Sequence, residues 1–130
     1  MTITTSSTPL GQVRGTGSAG HGGEHWLRER MTSAASLLLG LWLIVSLLLL
    51  PSFDRPILLE WMRMASGAVP MALLVVISFI HAVDGLKTVV DDYVHDEGSH
   101  ALLHGILTFA GIGGASLALF SLAKIAFGAA

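Results

Sequence analysis

Cysteine is absent from this chain. That absence removes disulfides, thiolate nucleophiles, iron–sulfur clusters and zinc–cysteine sites from what these residues can build. Charge is also scarce: Asp, Glu, Lys and Arg make up 12% of the 130 residues, about half the share of an ordinary soluble domain. Nine acids against seven Lys and Arg give a net charge of −2, which offers no electrostatic case for a nucleic-acid partner. Any cofactor held here has to use histidine, carboxylates or backbone.

Apolar sequence is what the chain has in quantity, at 52% of residues. Three stretches reach the ~20 mostly apolar residues that cross a bilayer. The first is "MTSAASLLLGLWLIVSLLLL" (31–50), with no charge between Arg30 and Asp54. The second begins "MASGAVPMALLVVISFIHAV" (64–83), and the third is built around "GILTFAGIGGASLALFSLAKIAF" (105–127). Backbone groups in lipid must be satisfied within their own segment, so the spans read as helices rather than strands. The expected fold is therefore all-α: an integral membrane domain over 25–130 with three transmembrane helices at about 31–50, 64–90 and 101–124. Residues 1–24, "MTITTSSTPLGQVRGTGSAGHGGE", are rich in Gly, Ser and Thr and lack an apolar h-region. A cleaved secretory signal is not expected there, and the segment reads as a flexible or partner-bound tail. The connection over 51–63 reads as a loop with Trp61 at an interface. Lys and Arg near the spans divide evenly, with Arg28, Arg30 and Lys87 against Arg55, Arg63 and Lys124, so the positive-inside rule assigns no orientation.

The second span leaves the membrane in an unusual way, through "ISFIHAVDGLKTVVDDYVHDEG" (77–98). At 100° per residue, Gly85 lies about 40° and Asp92 about 20° from His81, so His81, Gly85, Thr88 and Asp92 share one stripe. An imidazole inside a span is costly without a partner. It is either hydrogen-bonded across helices, with Gly85 as a packing residue, or it ligates a metal. Haem is the apolar macrocycle that suits interhelical space, and Gly85 one turn on would clear room for it. The acids that follow sit at a helix C-terminus, where the macrodipole disfavours them. They form either a solvated loop or a polar mouth, in which Tyr93 offers an O–H to an interfacial carbonyl and Asp92 orients or relays protons. His81 and Tyr93 lie twelve residues apart, roughly 18 Å of helical rise.

These residues resemble the small hydrophobic membrane anchor of succinate dehydrogenase, respiratory complex II, in its bacterial form. The pattern is a histidine, a glycine four residues on, and Asp-Tyr after eleven and twelve, here His81, Gly85, Asp92 and Tyr93 in "HAVDGLKTVVDDY". The start of the first span, "GSAGHGGEHWLRERMTSAASLLLGLW" (17–42), is similar in its His-aromatic pair and Arg-x-Thr. The likeness covers roughly residues 17–125.

The resemblance implies that His81 is an axial ligand of haem b, whose other axial ligand comes from a second, partner anchor. It implies that Tyr93 hydrogen-bonds ubiquinone with Asp92 beside it, and that Arg30 lies near the haem propionates or quinone pocket. It also implies an iron–sulfur subunit, a flavoprotein subunit and membrane lipid as partners. The location implied is the inner (cytoplasmic) membrane, multi-pass, with a cytoplasmic N-terminus. The chain alone, lacking a flavin site and cluster ligands, would not oxidise succinate. Asp84 and Lys87 depart from the pattern; Asp84 either hydrogen-bonds His81 or reaches a polar cavity. Asp91 next to Asp92 leaves the functional carboxylate open by one residue.

Further histidines are of less weight. His100 and His104 have a metal-binding spacing but no third ligand in view, so solvated histidines are the plainer reading. His95 reads as a participant in proton uptake and His25 as a haem-side or docking feature, while His21 and His25 both flank the tail. "GIGGAS" (111–116) reads as a close-packing face toward the partner anchor. Two other readings stay open: a fumarate reductase anchor on the same scaffold, and a non-catalytic holin-like three-span protein.

Overall fold

The computed structural model describes residues 19–128, apart from the side chains of 19–22 and 25. Four helices follow one another: α1 (Ala19–Leu48), α2 (Arg55–Arg63), α3 (Ala65–Tyr93) and α4 (Glu97–Ala126). Three stretches are long and apolar enough to cross a membrane, Trp26–Leu48, Ala65–Tyr93 and Glu97–Ala126. The expected three-span all-α architecture is what forms. The first span starts and stops slightly earlier than the apolar run implied, and the helix itself begins at Ala19, inside the segment read as tail. The rest of that tail lies outside the described residues.

The connection read as a loop contains a helix. In α2 the apolar Ile57, Leu58, Trp61 and Met62 fall on one side and are half-buried, whereas Arg55, Glu60 and Arg63 are exposed. Spacing of one, three and four residues places that apolar set on a single helical face, as in helices that lie along an interface. Pro56 stands in the first turn, where its missing N–H costs nothing. Trp61 stacks on Trp42 of α1, with ring centroids 5.9 Å apart and planes inclined by 22°. Met64 alone, in extended conformation, separates α2 from α3. The chain turns so tightly there that any side chain at Gly67 would run into the Trp61 carbonyl.

Helix α3 is the middle of the molecule. It packs against α1 on one side and α4 on the other, and α1 and α4 do not pack on each other. Water cannot drive helices together inside lipid, so close backbone approach and polar contacts have to hold them. Gly111 and Gly114 of α4 supply the approach: a Cβ at Gly111 would collide with Val83, and one at Gly114 would lie 2.6 Å from the Phe79 ring. The small-residue run is a close-packing face as expected, but at these two positions its partner is α3 of the same chain. Gly113, with open space around it, is the glycine of that run left facing outward.

Little is buried by the chain on its own. Among the described residues Leu122 is the one buried hydrophobic side chain, at 7% exposure, and large apolar groups lie bare along all three spans. A layer of three helices leaves both broad faces for lipid or another chain.

Candidate functional site at one mouth of the bundle

Helices α1 and α3 run antiparallel, which brings the beginning of one beside the end of the other. Deepest in this seam, Thr32 Oγ1 lies 3.3 Å from His81 Nδ1. Thr32 is buried, and its hydroxyl also lies 3.1 Å from the Glu29 carbonyl. A hydroxyl has one proton. With that proton on the Glu29 carbonyl, Thr32 can only accept from His81, which makes Nδ1 the protonated nitrogen. Among the described residues Nε2 then has no hydrogen-bond partner, and its lone pair is free.

One turn nearer the surface, Asp84 is 7% exposed. Arg28 grips it in two places: Nη2 donates to Oδ1 at 3.1 Å, and Nε lies 3.1 Å from Oδ2. The second contact is at ion-pair distance without good hydrogen-bond alignment, since Oδ2 has no geometrically sound bond. Asp84 thus takes neither of the roles expected for it, bonding to His81 or reaching a polar cavity. Its partner is a cation on the neighbouring helix. Further out, Thr88 Oγ1 is shared between Glu29 Oε1, at 3.2 Å, and the Asp84 carbonyl, at 3.1 Å. His81 and Thr88 of the stripe therefore both face α1, and Asp84 joins them.

Gly85 stands away from that seam. It is exposed, and a Cβ there would meet nothing within 4 Å. Packing within this chain therefore does not require glycine at 85, and the clearance it makes opens outward. Asp92 and Tyr93 end α3 fully in the open, Tyr93 at 79% exposure. Arg30 is on the opposite side of α1 from Arg28, with its guanidinium 5.4 Å from the centre of the Trp26 ring.

The two adjacent acids are distinguished by their contacts. Asp91 Oδ1 lies 2.7 Å from His100 Nε2 and 2.8 Å from His104 Nε2, whereas Asp92 has no hydrogen bond among the described residues. His95 is exposed and likewise unpaired among them. The side chains of His21 and His25 lie outside the described residues. The turn from α3 to α4 is only 94–96, and Asp96 closes it by accepting from Ser99 N at 2.8 Å. That backbone donor holds the Asp96 carboxyl below its ordinary value.

Sequence reasoning did not reach Arg28, Thr32 as a histidine partner, or Asp91 as third member of the histidine pair. For the first two a signal existed: Arg28, Glu29 and Thr32 recur at helical spacing, as do His81, Asp84 and Thr88.

The fold and this mouth define a multi-pass integral membrane protein with a polar, histidine-centred cluster at one end of its helices. The family model of the succinate dehydrogenase/fumarate reductase transmembrane subunit matches residues 4–123, and the chain belongs to that family. Similar proteins include the succinate dehydrogenase hydrophobic membrane anchor subunits of two species. That of Rickettsia bellii (strain RML369-C) is 31% identical over 83 residues, 64% of this chain and 66% of that protein. That of Rickettsia conorii (strain ATCC VR-613 / Malish 7) is 33% identical over 84 residues, 64% and 67% of the two chains. The matched part thus spans about two thirds of these relatives. No solved structure matches the chain with significance.

Proposed function

We propose that this chain is the hydrophobic membrane anchor of succinate dehydrogenase, sharing haem b with a second anchor and helping to form the ubiquinone-reducing site. The observation that carries the haem assignment is the seam around His81. Thr32 fixes the ring through Nδ1 and leaves Nε2 unclaimed, and a neutral imidazole held through one nitrogen is suited to ligate through the other. Gly85, open on its outer side, agrees with a large flat group beside α3. When bound, haem b supplies a one-electron store within the membrane.

Around it this chain's residues have separate tasks. Thr32 and the Glu29 carbonyl orient His81. The Arg28–Asp84 pair neutralises two charges at the mouth and locks α1 to α3. Tyr93 donates its O–H to a carbonyl of ubiquinone, whose reduction to the quinol takes two electrons and two protons. Asp92, unpaired within the chain, holds and passes a proton there. The exposure of Tyr93 and Asp92 suits a site completed by the second anchor and the iron–sulfur protein. The electrons arise from succinate at the flavoprotein. In this reading the N-terminus and the α3–α4 turn face the cytoplasm, the side of the bacterial inner membrane on which the iron–sulfur protein binds. The relatives' names favour succinate oxidation over the fumarate reduction that the family description also covers. A purely structural three-span protein would leave the His81 seam without a use.

The test is a reduced-minus-oxidised visible spectrum of the complex isolated through this chain in mild detergent. A b-type signal lost or shifted in His81→Ala supports the ligand assignment. An intact complex without that signal removes haem from the proposal. Tyr93→Phe separates the second assignment: quinone reduction falls while succinate oxidation by a soluble dye acceptor persists, and equal rates with quinone would remove Tyr93 from the site.

A further inference from the structure

We propose that Asp91, His100 and His104 form a binding site for a divalent transition-metal ion, zinc(II) in particular, that clamps α3 to α4. Their ligand atoms, one carboxylate oxygen and two Nε2, lie within 4.8 Å of one another. The two imidazoles come from successive turns of α4 and stack with centroids 4.3 Å apart and planes inclined by 27°. Both Nε2 atoms converge on the same Asp91 oxygen from the last turn of α3. Two imidazoles and a carboxylate are a donor set for zinc, with a fourth position left to water or to a partner's side chain.

The short turn makes the cluster stiff. Residues 94–96 span the gap, and the Asp96–Ser99 cap fixes the first turn of α4, so His100 and His104 are delivered to Asp91 by backbone rather than by chance collision of long side chains. Zinc bonds of about 2.0–2.1 Å in a tetrahedral arrangement set neighbouring ligand atoms about 3.3 Å apart. The present separations of 2.7 and 2.8 Å need to open by only about half an ångström, within the reach of side-chain rotation. The ion replaces the imidazole protons that now lie between nitrogen and oxygen, and the residual exposure of all three side chains, 29–52%, gives it a path from solution.

This site is distinct from the His81 seam, which lies on the α1 side of α3, and needs neither haem nor quinone. The test uses the full chain in detergent without a polyhistidine tag, with cobalt(II) as spectroscopic probe and zinc(II) as competitor. The wild-type chain takes up one cobalt with the intense visible bands of a low-symmetry nitrogen–oxygen site, and zinc displaces it. His104→Gln and Asp91→Asn, which keep size and polarity, weaken uptake by ~10-fold or more, since even an outer-shell loss costs about 10–100-fold. His95→Ala leaves it unchanged. Far-ultraviolet circular dichroism checks that each variant keeps its helices. Cobalt uptake unaltered in folded His104→Gln, or lost equally in His95→Ala, overturns the proposal.

Discussion

Thr32 Oγ1 and His81 Nδ1 meet at 3.3 Å across the α1–α3 seam. With the threonine proton donated to the Glu29 carbonyl, 3.1 Å away, the hydroxyl can only accept from His81, so the contact favours the tautomer protonated at Nδ1. Ring-nitrogen NMR of the chain before any cofactor is added should show Nδ1 protonated and Nε2 bare. Thr32→Val removes the acceptor while keeping shape, and Thr32→Ser retains it. On the haem reading, the valine variant retains haem about 10–100-fold less tightly and the serine variant stays near wild type. Equal retention in both would show that Thr32 does not orient the ligand.

The Arg28–Asp84 pair makes a second prediction. Asp84 is buried and Arg28 is half in the open, so the two ends do not lose equally. Arg28→Ala strands a carboxylate in the seam, at a cost of about 1–3 kcal/mol. Asp84→Asn, which leaves an exposed arginine without its partner, costs less. Thermal unfolding of the detergent-solubilised chain in a double-mutant cycle should give a coupling energy of ~0.5–3 kcal/mol. Additivity within error would show that Arg28 and Asp84 contribute independently and that their contact does not lock α1 to α3.

What was legible in the sequence followed from distance along the chain. The three spans needed only twenty-residue apolar runs, and the shared stripe of His81 and Thr88 needed only the helical repeat. What crossed from one helix to another was not legible. Asp84 found Arg28, and Asp91 found His100 and His104, only once the antiparallel docking of α1 on α3 and the three-residue turn before α4 were known. The α2 helix was hidden for a different reason. Nine residues carrying a proline and three charges read locally as a connection, and its apolar face matters only because Trp42, α3 and α4 are there to pack against it. The same geometry explains why "GIGGAS" read as a packing face without its partner: small residues announce close approach but not which helix approaches.

Acid should weaken the α3–α4 turn through Asp96. Its carboxyl is held below the ordinary value of 3.8 by the Ser99 backbone donor. A depressed folded-state value means the stabilisation is fully present above about pH 4 and is lost as pH falls through the lower, folded value. Asp96→Asn keeps an acceptor for the cap but does not titrate in this range. The melting temperature of wild type minus that of Asp96→Asn should therefore be constant from neutral pH to about pH 5 and shrink below pH 4. A difference that stays flat to about pH 2.5 would mean that the Asp96 charge adds nothing beyond what a neutral cap provides.

The glycines of α4 can be told apart by substitution. At Gly114 a Cβ would lie 2.6 and 2.9 Å from two atoms of the Phe79 ring, and at Gly111 it would run into Val83. Phe79 and Val83 are half-buried side chains of α3 that border a cavity shared with Thr108 and Ala115, so each clash is relieved either by turning that side chain or by moving α4. Gly114→Ala should then cost about 1–3 kcal/mol, the usual range for overpacking a fitted contact. Gly113→Ala meets nothing in this chain and should leave the isolated chain's melting temperature unchanged or slightly raised, alanine being the better helix former. The two variants also separate intrachain packing from assembly. Loss of a second anchor from the complex in Gly113→Leu, with the chain itself still stable, would mark the outward side of α4 as the contact. Loss of stability in Gly113→Ala as large as in Gly114→Ala would instead show that α4 is rotated away from the orientation that seats Gly111 and Gly114 on α3.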